Sequence, residues 1–372
     1  MRAIDLNTST ISTTSSEKRI EMMSNTELKI IDTISGSIGN SISISGLTTE
    51  IKDRYGSAYY PNIYKAILSL KKENIIQLQK QGKASIPVLN FANYLLPDIL
   101  IEMELQKKRE FLEKWPEAQS LLASLDNAFS TLPFIRSIIL IDPQHNMKLN
   151  RAELLIIISE TAEAKREETR SLMREIRRHF IRTEYLIIAE TELINALKSQ
   201  EKNPIKEMLS SKIALYSPEH FWTSIRNAYA HGMRIRFEIE QTNPLKISNR
   251  DLIYNLARFG YKELGSEIRQ GTDIAIEYII ASILLDGDER QTAAIPILLA
   301  RNKTSYDLLA FLSQKYGFAD MLLGILIALE EIAPSTEIES DIATLKEAGI
   351  RPIDSNKSQI KKAMQLYGVG IR

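Results

Sequence analysis

The residues best suited to chemistry gather around one proline. Ser57, Tyr59 and Tyr60 precede Pro61, and Asn62 and Lys65 follow it. Proline is favoured in the first turn of a helix, where its missing N–H has no helical partner. The five side chains therefore surround a helix N-terminus. Hydroxyls and an ammonium there can bind phosphate oxygens, and asparagine can bond the edge of adenine at two points. Lys80 and Lys83 flank Gly82 in the run Lys80-Gln81-Gly82-Lys83, a hairpin tip whose lysines suit backbone phosphates. This chemistry is recognition of a polyanion.

The surrounding sequence supplies elements to position those residues. Thr26 is an N-cap candidate ahead of Leu28, Ile31 and Ile34, which are spaced for one helix face. Ser35, Gly36, Gly39 and Asn40 interrupt the pattern. A second helix fits Leu47–Tyr55, stopped by Gly56, and a third runs from Pro61 to Glu73 with Ile63, Ala66, Ile67 and Leu70 as its apolar stripe. Extended runs over Ile75–Gln79 and Ala84–Leu89 follow. Three helices and a hairpin, in that order, resemble a winged helix-turn-helix. The stretch from Tyr60 to Ile76 resembles the recognition helix and following strand of winged-helix transcription regulators, with Asn74 where glycine is usual. Asparagine is the best non-glycine residue for a left-handed helix stop. The resemblance implies double-stranded DNA as the partner, read by Ser57, Tyr59, Tyr60, Asn62 and Lys65, with Lys80 and Lys83 on phosphates. From Glu27 to Leu89 eight basic residues stand against five acidic ones, a modest excess in the same direction. A winged helix used for protein contact is the rival reading, and core packing is the rival for Tyr60 and Tyr64.

Two further constellations lie downstream. The order strand Ile135–Ile141, loop, strand Glu153–Ile158, charged helix and strand Tyr185–Ala189 resembles the small nucleotidyltransferase fold of antitoxins and kanamycin transferases. That family implies a Gly-Ser turn for nucleotide phosphates and an Asp-x-Asp pair plus a third acid for two metals. Here the turn reads Asp142-Pro143, the pair reads Arg151-Ala152-Glu153, and the third acid falls near Glu184. Aspartate repels phosphate, and arginine cannot ligate a metal. The resemblance thus implies a catalytically silent domain; the alternative reading of Glu153 and Glu184 is that they are ordinary exposed carboxylates. The second constellation is Arg226-Asn227-Ala-Tyr-Ala-His231-Gly232, which resembles the signature of HEPN helical domains. The family implies metal-independent RNA cleavage by a dimer, with His231 as general acid or base and Arg226 stabilising charge on phosphate. Structural roles for the pair are the alternative.

Composition limits the rest. The chain has 372 residues, enough for two or three domains, and a formal net charge of zero, so a nucleic-acid surface must be local. The absence of cysteine removes disulfides, thiolate zinc sites and thiol nucleophiles. No apolar run reaches the length of a membrane span. His145, His179 and His220 lack metal-ligand spacing. Arg174, Arg177, Arg178 and Arg182 read as a solvated face paired with glutamates, on a helix burying Leu172, Ile176 and Phe180. Ile276–Leu285 and Met321–Leu329 read as core or a dimer surface.

The expected fold class is α+β: a disordered tail over 1–24, a winged helix over 25–92, and connecting helices over 93–129. A small mixed α/β middle domain over 130–245, nucleotidyltransferase-like or HEPN-like, precedes a helical domain over 246–372. Arg234–Glu240 fits a strand or a helix end. After Pro244, helices are expected over Asn249–Leu264, Gly271–Leu285, Thr292–Leu299, Tyr306–Tyr316, Ala319–Ile332, Glu337–Ala348 and Lys357–Tyr367. The expected function is a cytoplasmic DNA-binding regulator without cofactor or metal. A homo-oligomeric or helical protein partner is expected, and no membrane. The alternative is a ribonuclease acting on RNA through Arg226, Asn227 and His231.

Overall fold

The structure is a computed structural model that describes residues 23–159, 162–177, 182–261, 268–286, 289–353, 355 and 357–368. The expected tail lies outside the described residues except for its last two, as do Arg178, His179 and Phe180. The chain is a mixed α and β protein in which helix predominates. It divides into two compact units. The first comprises the described residues up to Thr183 with Ile187–Lys198 and Ile205–Ile239; the second comprises Glu184–Leu186, Ser199–Pro204 and the described residues from Glu240 onward.

The first unit opens with helices α1 (Asn25–Ser35), α2 (Ile44–Tyr55) and α3 (Tyr60–Lys72), then strands β1 (Ile76–Gln81) and β2 (Ala84–Leu89). The N-cap of α1 is Ser24, not Thr26: Ser24 and Glu27 form a reciprocal capping box that satisfies two backbone N–H groups at once. Helix α2 starts earlier than expected because Ser43 caps it by accepting from Gly46 N. Ile63, Ala66, Ile67 and Leu70 bury one side of α3 against α1 and α2. Each large aliphatic side chain so buried contributes about 1.5–3 kcal/mol. Strands β1 and β2 pair antiparallel down to Gln81 opposite Ala84, so the loop is only Gly82-Lys83, shorter than the sequence pattern suggests, with Gly82 at φ 60°.

Helices α4 (Leu96–Lys114) and α5 (Ala118–Phe129) follow. A four-stranded sheet is built from β3 (Ile135–Ile141), β4 (Arg151–Ile158), β5 (Arg182–Ala189) and β6 (Lys212–Tyr216), in the order β5-β4-β3-β6. Strand β3 runs antiparallel to β4 and to β6, placing Ile141 between Glu153 and Lys212. The remaining elements of this unit are the short helix α6 (Pro143–Lys148), where a loop was expected, α7 (Glu163–Arg177), α8 (Glu190–Lys198), α9 (Pro204–Met208) and α10 (Pro218–Ala230). Helix α10 packs on β3 and α4 on β6, covering strands whose residues are nearly all buried. In α7 the buried residues include Met173 and Ile176, whereas Leu172 is half-buried.

Strand β6 has no counterpart among the expected elements, since five residues beginning with a lysine show no clear alternation. Arg234–Glu240 is neither helix nor strand. Its backbone N–H groups reach three different segments: Arg236 N donates to Leu197 O, Phe237 N to Ile38 O and Glu238 N to Lys206 O. No single neighbour offers it a ladder.

Past Ile239 the described residues of the second unit are helical apart from short extended runs. A 3-10 turn (Pro244–Lys246) leads to α11 (Asn249–Arg258), α12 (Ile276–Asp286), α13 (Glu289–Thr292) and α14 (Ile295–Arg301). Then come α15 (Tyr306–Tyr316), α16 (Ala319–Ile332), α17 (Thr336–Glu347) and α18 (Lys357–Leu366). Helix α12 begins later than expected because Gly271–Ala275 is not helical, and Ala275 N donates to Lys202 O. The expected helix Thr292–Leu299 is instead α14, with Pro296 in its first turn. Helices α12 and α16 are buried along most of their length, as core. No described helix is long and apolar enough to cross a membrane.

Candidate nucleic-acid interface

Helix α3 is framed by its own ends. Tyr59 is extended, Pro61 stands in the first turn, and Ile63 N closes the first bond onto Tyr59 O. At the other end Asn74 adopts φ 57°, Asn74 N donates to Lys71 O and Ile75 N to Leu70 O. That is the Schellman arrangement, with asparagine in the usual glycine position. The turn fixes the angle at which β1 leaves α3, and so where the hairpin tip lies relative to the helix.

All seven residues singled out in this region are exposed: Ser57, Tyr59, Tyr60, Asn62, Lys65, Lys80 and Lys83. Tyr59 is 71% accessible, and Tyr60 and Tyr64, stacked with ring centroids 6.1 Å apart, are 48% and 42% accessible. Core packing of the two tyrosines is thereby overturned: Tyr64 stands about 100° around the helix from Ile63, and Tyr60, on the flank of the buried stripe, is left uncovered in the opening turn. The outward side of α3 also carries Leu68, at 43%, and Lys72. Between Arg54 and Pro97 the only acidic residue is Glu73, whereas five lysines occupy the same stretch. That run of nearly acid-free sequence is a plainer signal than the overall charge count. Such a surface can bind phosphates through lysines and present flat, partly polar side chains to base edges.

The region around β3 and β4 departs from the expectation of exposed carboxylates. Glu153 and Glu184 are both buried, at 0% and 1%. Glu153 lies 3.0 Å from the guanidinium of Arg151, whose Nε donates to Asn146 Oδ1 on α6. Arg151 is thus the counter-ion of Glu153, and a buried carboxylate without such a partner would be costly. Asp142, in the left-handed region at φ 40°, precedes Pro143. Among the described residues no group of three or more acidic or histidine side chains is arranged to hold a metal ion.

Arg226 and Asn227 lie on α10, and His231 caps its end. Five residues on a helix separate two side chains by about 140° around the axis. Among the described residues no hydrogen bond joins Arg226 to His231; the His231 Nδ1–H donates to Asn227 O at 2.7 Å. Gly232 is at φ 71°, with Gly232 N donating to Tyr229 O and Met233 N to Ala228 O. The His-Gly pair therefore has a local role as a Schellman helix stop. Of the basic run, Arg174 is paired with Glu167 at 2.8 Å and Arg182 is exposed. His145 and His220 are exposed.

No protein-family model, curated protein or solved structure matches the chain.

Proposed function

We propose that the chain is a DNA-binding protein, a transcriptional regulator whose residues 25–92 act as a winged helix. Helix α3 enters the major groove by its opening turn, with Asn62 and the tyrosines toward base edges, while Lys65, Lys80 and Lys83 meet phosphates. The observation that carries this reading is the solvent exposure of all seven residues on a helix and hairpin nearly free of acidic side chains. The middle region serves as scaffold or ligand sensor, with the Arg151–Glu153 pair in place of a metal-binding diad.

Gel-shift titration of the full chain with random-sequence duplex DNA tests it. Affinity falls steeply with salt, as counterion release requires, and collapses when Lys65 and Lys83 are both replaced by alanine. Binding that survives the double substitution sinks the proposal. So does RNA cleavage in the presence of a chelator that is abolished by His231→Ala.

A further inference from the structure

A second basic surface lies away from α3, in a groove of about 1330 Å³ within the first unit. Its walls are α1, the end of α2, α4, α6 and the start of β6. Seven of its lining side chains are cationic and three are acidic. Lys29, Lys114 and Lys148 form no ion pair among the described residues. Lys29 sits over the Tyr55 ring at 5.1 Å, Lys114 donates to Gln144 Oε1, and Lys148 is exposed at the end of α6.

The carboxylates near the floor are already engaged. Asp32 is shared by Lys107, Arg54 and the Tyr55 hydroxyl, and Glu104 by Lys107 at 3.6 Å and Lys212 at 3.7 Å. Arg54 also turns to Glu50, and Glu102 is paired with Arg109. Of the three lining carboxylates only Glu110, which accepts from Gln106 Nε2, has no cation beside it among the described residues. Between the charged groups, Leu28, Met103 and Phe111 give the lining an apolar strip.

We infer that this groove binds a phosphate ester of nucleotide size, its phosphates held by Lys29, Lys114 and Lys148 and its ring laid on the apolar strip. Three lysines on three helices, each without a carboxylate, suit several phosphate oxygens better than one small anion. The volume exceeds the roughly 300–1,000 Å³ typical of small-ligand pockets, so a nucleotide fits with its solvent. The inference stands independently of any role for α3, because no lysine of α3 or of the hairpin lines the groove.

Calorimetric titration of the full chain with ADP tests it, with inorganic phosphate and a single-stranded dodecanucleotide as comparison arms. One saturable ADP site is expected, weakened about tenfold by the double substitution Lys29→Ala, Lys148→Ala and again by Lys114→Glu. Circular dichroism checks that these surface variants are folded. Inorganic phosphate is expected to bind more weakly than ADP. The inference fails if ADP gives no binding heat at millimolar concentration, or if the folded variants bind it like the parent chain. Phosphate binding as tightly as ADP would remove the nucleoside from the site. Tighter binding of the dodecanucleotide through the same lysines would make the groove a strand track instead. Failure of α3 to bind duplex DNA would leave the ADP result untouched, which separates the two readings.

Discussion

The Lys212 ammonium lies 3.7 Å from the Glu104 carboxylate, and both side chains are buried. Around the ammonium stand the rings of Trp222, Phe221 and Phe237, at 4.7, 5.3 and 5.5 Å from their centroids. Burial drives the Lys212 pKa down to about 8; Glu104 and Asp32 offset part of that fall, and Lys107 adds to it. Glu104 also accepts from Ala214 N at 2.9 Å, so one carboxylate on α4 anchors the edge strand β6. The chain of charges continues through Lys107. Burial would lower its pKa, but Asp32 and Glu104 outweigh that and raise it. Asp32 is held below the usual carboxylate range; burial would raise it, but Lys107, Tyr55 and Arg54 outweigh that. One ionic chain thus joins α1 and α2 to α4 and the sheet.

Lys212 makes stability depend on pH in an unusual direction. Its folded pKa of about 8 lies below the ordinary value of 10.5. Between those values the unfolded chain binds a proton that the native chain does not, so stability from this group rises with pH. Below pH 8 both states are protonated, and the penalty for the buried charge is fully present. In Lys212→Met the rise between pH 8 and 10.5 disappears. Melting temperatures of the two proteins across that range, subtracted, isolate the effect; parallel curves would refute it.

Removing the shared carboxylate is expected to cost far more. Glu104→Gln leaves Lys212 without its buried counter-ion and weakens the hold on Ala214 N. Breaking one partner of a buried pair typically costs about 3–5 kcal/mol. Urea unfolding followed by tryptophan fluorescence measures it, since Trp222 lies against Lys212. Adding Lys212→Met to Glu104→Gln recovers part of the loss; no recovery would mean that the two groups are uncoupled.

Two glycines with similar backbone angles are expected to behave differently. A Cβ at Gly39, φ 78°, would lie 2.3 Å from Ile235 O, a backbone atom that cannot step aside. A Cβ at Gly56, φ 82°, would meet nothing within 4 Å. Gly56→Ala therefore costs only the left-handed backbone strain, about 1–2 kcal/mol. Gly39→Ala adds displacement of the Ile235–Phe237 strap and destabilises the chain by more. Thermal melts of the two variants give the order, and equal losses would contradict it.

At the end of α3, Asn74→Gly is expected to leave stability within about 0.5 kcal/mol of the parent, whereas Asn74→Val costs about 1–2 kcal/mol. The backbone carbonyl of Asn74, which accepts from Asn90 and Asn93, is retained in both. Denaturant midpoints measure the difference.

For the proposed DNA interface, Lys80→Ala with Lys83→Ala is expected to reduce the slope of log affinity against log salt by about 2, one for each phosphate no longer neutralised. Fluorescence anisotropy at several salt concentrations gives the slope. An unchanged slope would remove the hairpin tip from the interface.

The features legible in the bare chain are local ones. The Ile63, Ala66, Ile67 and Leu70 spacing sets α3, Pro61 marks its start and Asn74 its stop, because period and cap chemistry depend on neighbours within a few residues. The exposure of Tyr64 follows from that period once the buried stripe is known, whereas Tyr60, seven residues before Ile67 and so on nearly the same side, is exposed because the fold leaves the opening turn uncovered. Packing supplies what no short run of residues contains. Lys212 begins a strand in an aromatic cage, and Glu104 on a long charged helix is its buried partner. Arg234–Glu240 bonds to three segments remote in sequence. Most of these pairings join charges or backbone groups across long stretches of chain. Burial gives such pairs their strength, and burial belongs to the folded molecule as a whole.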